Sequence, residues 1–259
     1  MNNHRCLSLS LLLSALAVFA QDQRPFRGGV RIAAPRFPMQ VVVGAPYSGD
    51  RVTETDQSLA DGTHIRHSTT TKLYRDSAGR VRAEAPLRSS DPESQSTLLM
   101  VHISDPVAHV LYVLDPVNKV AHRQELPVSE TLLRPRPIET AEPAAPRTTH
   151  STGKVEIIDE DLGTRSMEGL IVEGNRHTTI RAVGEMGNDH PMTEVDERWS
   201  SPELRLLVFQ RRTGPQIGEQ IDKLINIVRN EPEAALFQIP SDYTVMEEHG
   251  DFSLSWSGR

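Results

Sequence analysis

Histidines are the residues of this chain that most directly suggest chemistry, because imidazole nitrogens bind zinc and related metals. The sequence contains ten of them. In the hairpins predicted below, His102 and His122 lie in one row of a sheet face but two strands apart, a separation of about 10 Å. His109 and His122 lie diagonally on neighbouring strands, so this pair is the weak candidate for a metal site. The alternative is that the histidines are solvated strand residues, and we expect neither a metal nor another cofactor.

Glu197 is the acidic residue with the most informative setting, because strand alternation puts it on an apolar face with Trp199. An unpaired carboxylate on such a face has a raised pKa, as a general acid requires. If the preceding turn centres on 187–188, Thr178 lies opposite Glu197, and Arg176 lies opposite Trp199 and diagonal to Glu197. We therefore predict a structural ion pair between Arg176 and Glu197 beside Trp199, in preference to a catalytic acid.

The remaining motifs give no support to enzymatic chemistry. The acidic run 159–161 lacks the alternating spacing of a calcium loop, so an exposed turn is the preferred interpretation. The sequence has no Gly-x-Ser-x-Gly elbow, His-Glu-x-x-His motif, phosphate loop or dinucleotide glycine pattern. Cys6 is the single cysteine and falls in a predicted signal peptide. We predict no catalytic residues and a non-enzymatic protein.

Residues 1–20 have the layout of a cleavable secretory signal. Arg5 supplies a positive charge, an apolar run extends from Cys6 to Ala20, and polar residues follow. We predict cleavage after Ala20 and a periplasmic or secreted location. The remaining chain is predicted to contain a flexible leader (21–38), a single β domain (39–246) with a disordered Pro-rich insertion (127–153), and a C-terminal tail (247–259).

The overall charge excludes one class of partner. The formal net charge is −7, and acidic and basic residues are interspersed along the chain. Nucleic acids and anionic lipid headgroups both require a basic patch, so neither is expected as a partner. Aromatic residues make up only 5% of the chain, which is few for a surface on which bases stack.

The elements that must position these side chains are mainly β-strands. Residues 50–59, 63–74 and 81–85 are separated by turn signals and predict a three-stranded meander. Asp-Pro-Val occurs at 105–107 and again at 115–117, and each Asp-Pro pair predicts a tight turn. The chain therefore forms two consecutive hairpins in this region.

The two hairpins have a predicted register. If each turn occupies four residues, Ile103 pairs with Val110, and Val113 pairs with Val120. One face is then apolar and faces a core, whereas the other face is mixed. The apolar face comprises Val101, Ile103, Val110, Tyr112, Leu114 and Ala121.

The last third of the domain contains one ambiguous segment. Residues 218–229 fit both a helical stripe and a buried strand, and their place within a meander favours the strand. Residues 233–237 predict one helical turn, with Asn230 as its cap and Pro240 beyond its end. Further strands are predicted over 169–183, 192–200 and 204–211.

A series of short motifs occurs in order between about Leu162 and Val245. The motifs are Leu162-Gly163, Glu168-Gly169, Glu173-Gly174, Gly187-Asn188-Asp189, Glu197-Arg198-Trp199, Ser201-Pro202-Glu203-Leu204, Gly218-Glu219, Asn226, Glu231-Pro232, Leu236-Phe237, Ile239-Pro240 and Asp242-Tyr243. With the turn from Tyr74 to Arg80, this order resembles a group of uncharacterised exported bacterial proteins and, less closely, the periplasmic lipoprotein-carrier type of fold. The resemblance implies a mainly β fold, a curved antiparallel sheet that forms an open half-barrel with one or two short helices.

The resemblance and the predicted β meander together suggest a function. The leading hypothesis is a non-enzymatic protein that binds a lipid or acyl chain on its curved sheet in the periplasm. The first alternative is an envelope sensor or scaffold that contacts another envelope protein, with residues 127–153 as a tether. The second alternative is a secreted hydrolase.

Overall fold

A computed structural model describes residues 28–33, 41–86, 98–127, 147–151 and 153–256. The protein is mainly β, as predicted, with a large curved sheet that stays open. The predicted signal peptide, and most of the predicted leader and Pro-rich insertion, lie outside the described residues. Within the described ranges, no helix has the length and apolar character needed to cross a membrane.

The described residues contain fifteen strands and one short 3-10 helix, Ala234–Phe237. The strands are β1 (Gly28–Ile32), β2 (Tyr47–Ser58), β3 (His64–Arg75), β4 (Val81–Pro86), β5 (Leu99–Asp105), β6 (Val110–Asp115), β7 (Val120–Glu125), β8 (Arg147–Ser151), β9 (Val155–Met167), β10 (Leu170–Arg181), β11 (Met192–Ser201), β12 (Leu206–Gly214), β13 (Gly218–Val228), β14 (Thr244–Glu247) and β15 (Phe252–Trp256).

Thirteen strands form one sheet in the order β14-β7-β6-β5-β4-β3-β2-β13-β12-β11-β10-β9-β8. All neighbours are antiparallel except β14, which runs parallel to β7. The predicted meander and the later strands are confirmed. The ambiguous segment 218–229 is also a strand, as favoured. It lies between β2 and β12, and Leu224 in its middle is buried.

The Asp-Pro hairpins are present, but their predicted register is wrong by two residues. Asp105 pairs with Val110, and Ile103 pairs with Tyr112. The turn has the expected four residues, but it comprises 106–109 rather than 105–108, because the Asp105 carboxylate accepts bonds from the backbone N–H groups of Val107 and Ala108 and His109 adopts a φ of 55°. The second turn repeats this geometry. An even shift leaves every side chain on its predicted face.

Side chains alternate between two faces of the sheet, and the cross-strand pairings carry this alternation from β7 to β9. We call face A the one that carries Ile103 and Trp199. Face B carries Val113 and His177. Strands β5–β7 are covered on both faces, which explains why they form the most buried part of the sheet.

The segment that contains the 3-10 helix covers face A of β5–β7. Phe237 packs against a cluster that includes Ile103 and Leu114, and the Arg82 guanidinium donates to the Leu236 carbonyl at 2.8 Å. The predicted cap is wrong. The helix begins after Glu233, whose side chain makes no cap bond, because its single turn starts four residues beyond Asn230. The helix is therefore held by packing on the sheet rather than by a cap.

A two-stranded ribbon of β1 and β15 covers face B of β5–β7. These segments are predicted to belong to a flexible leader and a C-terminal tail, but each contains a strand. The Trp256 indole N–H donates to the Asp115 carboxylate at 2.8 Å, and the Gln124 amide donates to the Gly250 carbonyl. The Phe252 and His122 rings stack, with centroids 4.8 Å apart.

Asp115 joins the second hairpin turn to the ribbon. Its carboxylate accepts hydrogen bonds from the Val117 and Asn118 backbone, from the Asn118 side chain and from Trp256. Burial raises the pKa of Asp115, but these bonds, with Trp256 first among them, outweigh burial and hold the pKa below its ordinary value.

Replacement of Asp115 by Ala is expected to lower the free energy of unfolding by about 3 kcal/mol, because it leaves the buried Trp256 indole N–H and the part-buried turn donors without their acceptor. Asp105→Ala is the matched control, since it removes the equivalent two backbone turn bonds without a ribbon contact, and should cost about 1 kcal/mol. Urea unfolding of both variants measures the difference. Equal losses would show that the Trp256 bond does not secure the ribbon.

His102 makes stability depend on pH. Burial on face B lowers its pKa below the ordinary value that the unfolded chain retains. The stability that depends on neutral His102 is therefore fully present above about pH 6.5 and is lost as the pH falls through the lower folded-state pKa. His102→Leu should reduce the difference between urea midpoints measured at about pH 7.5 and about pH 5.5. The exposed His67→Leu variant is the control, and an equal reduction there would contradict the assignment.

Candidate ligand-binding face

Face A of β9–β13 and β2 carries a band of apolar side chains. Trp199 and Ile158 are buried and the others are half-buried, whereas face B of the same strands is mostly polar. The 3-10 helix, the single helix of the described ranges, packs on β3–β7 and lies away from this band. The apolar band comprises Val52, Ile158, Ile180, Val195, Trp199, Phe209 and Ile221.

Trp199 lies at the centre of this band and is fixed from three sides. Its ring lies over Gly174, where an added Cβ would come within 2.5 Å of the ring. The Arg165 guanidinium stacks on the ring, 3.7 Å from the centroid. The indole N–H donates to the Glu197 carboxylate at 2.7 Å. The backbone approach at Gly174 therefore requires glycine.

Arg176 and Glu197 contact each other beside Trp199. The Arg176 guanidinium donates to the Glu197 carboxylate at 3.0 Å and lies 3.7 Å from Glu160. The predicted register was wrong by two residues, because Arg176 lies directly opposite Glu197 and Gly174 lies opposite Trp199. The connecting loop centres one residue earlier than predicted, and the Asn188 side chain bonds across it.

Glu197 does not have the electrostatics of a general acid. Burial raises its pKa, but hydrogen bonds from Trp199 and Arg176 outweigh burial, and the net shift is downward. The residue therefore stays ionised at neutral pH, whereas the unpaired carboxylate considered from the sequence requires a raised pKa.

The Arg176–Glu197 pair belongs to a longer ladder of alternating charge on face A. Glu160, Arg176, Glu197 and Arg211 are cross-strand neighbours on β9, β10, β11 and β12. Arg211 also bonds Glu219 at 2.6 Å. Opposite charges directly across neighbouring strands stabilise a sheet, so this ladder holds the four strands in register.

A groove opens on face A where β13, β2 and β3 meet, and we call this cavity of about 400 Å³ the groove. Each of its carboxylates has a cationic partner. Glu54 bonds Lys223 at 2.8 Å, and Asp56 bonds both His64 and Arg66 at 2.8 Å. The His64 bond, followed by the Arg66 bond, lowers the pKa of Asp56. The residues that line the groove are Glu54, Thr55, Asp56, Arg66, His67, Ser68, Glu219 and Ile221.

The two metal candidates are not brought together. His109 lies in the β5–β6 turn, whereas His122 lies on β7, bonds Glu248 at 2.7 Å and stacks on Phe252. His102 and His122 do lie in one row with Val113 between them, as the sequence predicts. Among the described residues, no group of three or more His, Cys, Asp or Glu side chains could hold a metal ion.

The sequence analysis missed the ladder partners Glu160 and Arg211 and the whole groove. Both depend on strands that are distant along the chain. The alternation of charged and apolar residues in β9 and β12 was the available signal for the ladder. Nothing in the sequence alone indicated that β13 pairs with β2.

No protein-family model matches the chain, and no curated protein matches it either. Among solved structures, it is similar to an uncharacterised conserved protein from Thermus thermophilus (TM-score 0.39, 9% identity, 79% of this chain and 91% of that one). It is also similar to a LolA-superfamily protein from Nitrosomonas europaea (TM-score 0.31, 9% identity, 77% of this chain and 92% of that one). A third similar structure is LprF from Mycobacterium bovis (TM-score 0.29, 11% identity, 78% of this chain and 91% of that one).

These neighbours agree with the resemblance described from the sequence, which was to uncharacterised exported proteins and to the lipoprotein-carrier type.

Replacement of Gly174 by Ala should displace the Trp199 ring and lower stability by about 1–3 kcal/mol through overpacking. In a Trp256→Phe background, Trp199 is the single tryptophan, so its emission maximum should shift to longer wavelength. Asn175→Ala, on the exposed face of the same strand, is the control. An unchanged emission maximum in the Gly174 variant would show that the ring does not depend on this close approach.

Proposed function

We propose that the protein is a non-enzymatic, exported binding protein that holds a lipid or other acyl chain against face A in the bacterial periplasm. The observation that carries the proposal is the apolar band of face A, which leads from Trp199 through Phe209 and Ile221 to the groove. The secretory signal predicted over residues 1–20 supports the location.

The size of the groove suits a small ligand, and the apolar band that adjoins it supplies apolar contact surface. A cavity of about 400 Å³ lies within the range of small-molecule sites, roughly 300–1,000 Å³. Half-buried Phe209, Ile221 and Val52 still expose apolar surface, and a ligand that covers them removes this surface from water. Burial of that surface is the driving force that we assign to binding.

The charges around the site support binding rather than catalysis. Glu197, Glu54 and Asp56 are each held by a cationic partner, and the pKa shifts resolved at Glu197 and Asp56 are downward. A general acid or base instead needs a pKa close to the working pH. We therefore assign these groups to holding the strands in place around the ligand.

A fatty acid brominated along its chain should quench Trp199 fluorescence in the Trp256→Phe background, because bromine quenches indole only at contact. Phe209→Ser combined with Ile221→Ser should weaken probe binding by about tenfold or more, since it removes apolar contact area. Ile157→Ser, which changes an apolar residue of face B, is the matched control and should bind normally.

Native mass spectrometry of the protein purified from the periplasm tests the proposal without a chosen probe. A bound lipid that is lost in the Phe209→Ser, Ile221→Ser variant would support it. Absence of bound lipid, together with no thermal shift from fatty acids or phospholipids, would contradict it.

A further inference from the structure

We propose that one end of the sheet docks on the surface of a neutral, zwitterionic lipid bilayer and places the groove at that surface. We call this end the rim, and it consists of the hairpin turns 59–63, 182–191 and 215–217 together with Ile65. The proposal rests on the proposed function in one respect, which is that the ligand comes from a membrane.

The three turns lie at the same end of the sheet. Asp56, Glu219, Thr213, Val195 and Thr178 are cross-strand neighbours and form one row through β2, β13, β12, β11 and β10. Each of the three turns lies beyond this row on the same side. At about 4.8 Å per strand, neighbouring hairpin turns are spaced by about 10 Å. The rim is therefore a line of separate projections along the sheet edge.

Each projection exposes apolar side chains. Leu59 and Ile65 flank the β2–β3 turn, Val183 and Met186 lie in the β10–β11 turn, and Ile217 lies in the β12–β13 turn. These five side chains are between 39% and 57% exposed. Polar turn residues separate them, so they do not form the continuous patch typical of a protein–protein interface core. Separate apolar tips are suited to insert one by one among lipid headgroups.

The charge of the rim selects the kind of surface. The turns and Ile65 include three acidic residues, Asp61, Glu185 and Asp189, and the residues 59–65, 182–191 and 215–217 contain no lysine or arginine. Exposed Arg66 follows Ile65, and the Lys154 carbonyl accepts a hydrogen bond from Ala182, so basic residues at this end are interspersed with acidic ones. Electrostatic attachment to anionic lipid requires clustered basic residues, which this end lacks among the described residues. Apolar insertion into a zwitterionic surface remains favourable with this composition.

The rim is continuous with the groove. Asp56 and Glu219, which line the groove, precede the β2–β3 turn and follow the β12–β13 turn, respectively. The β12–β13 turn packs closely on β2, where a Cβ on Gly218 would meet the Asp56 carbonyl. A bilayer against the rim thus lies within a few residues of the groove entrance. The contact gives an apolar ligand a path that avoids bulk water.

Flotation of the purified protein with phosphatidylcholine vesicles tests the inference. The variant Leu59→Ser, Met186→Ser, Ile217→Ser should bind vesicles about tenfold or more weakly, because three apolar tips are lost. The control is Val43→Ser, Val107→Ser, Ile171→Ser, which changes three residues that are at least as exposed at the opposite end of the strands and should float like the wild type. Addition of phosphatidylglycerol to about a third of the lipid should not strengthen binding at low salt, because this end has no basic cluster.

Three outcomes would overturn the inference: no flotation of the wild type, equal loss in rim and control variants, or stronger binding with phosphatidylglycerol. Probe binding without vesicles, measured on the same variants, separates this inference from the proposed function. If the protein binds the probe normally but does not float, the result contradicts membrane docking by the rim and leaves the proposed function unaffected. If the protein floats in a rim-dependent way but binds no probe, the result supports membrane docking by the rim and contradicts the proposed function.

Discussion

Burial of β5–β7 on both faces is the constraint on which the rest of the structure depends. An open sheet has no closed interior, so some of its strands must be covered by other segments of the chain. Here the 3-10 helix segment covers face A through Phe237, and the ribbon covers face B through Trp256. Because these covers are concentrated at one end of the strand order, neither of them packs on face A of β9–β13 and β2.

The strands β10–β13 and β2 have a hydrophobic core of their own, which includes Trp199, Val208 and Leu224, and charge pairing adds to it. Polar and apolar residues alternate along β9–β12, and on face A the residues Glu160, Arg176, Glu197 and Arg211 meet opposite charges on the neighbouring strand. Exposed ion pairs contribute little one by one, typically about 0–1 kcal/mol. Their arrangement in a ladder matters for register, because a slip by one strand residue would break the pairing of opposite charges and turn the apolar side chains to face B.

The sequence was sufficient to predict most strands and their faces, because an alternation with a period of two is a local signal. It was insufficient for registers, which depend on the position of each turn, and both the Asp105 hairpin and the Arg176–Glu197 pairing were displaced by two residues. The ribbon was not predicted, since Gly28–Ile32 pairs with Phe252–Trp256 across almost the whole chain. The groove was missed for the same reason. At the candidate site, the neighbours of Trp199 could be predicted from one hairpin, whereas the groove needs three strands from distant parts of the sequence.

The pairing of β2 with β13 also has a consequence for how the protein folds. On one side of the β2–β13 pairing lie the strands β2–β7, and on the other side lie β8–β13. Within each set the strands follow one another in chain order, so each set can form from local hairpins. The β2–β13 pairing places Asp56 opposite Glu219, so the whole chain between these two residues must close as a loop before the pairing forms. Contacts between distant residues slow folding because their loop-closure entropy is lost before the contacts stabilise the chain. The two meanders should therefore assemble early and join late, and the groove would be the last part of the sheet to take shape.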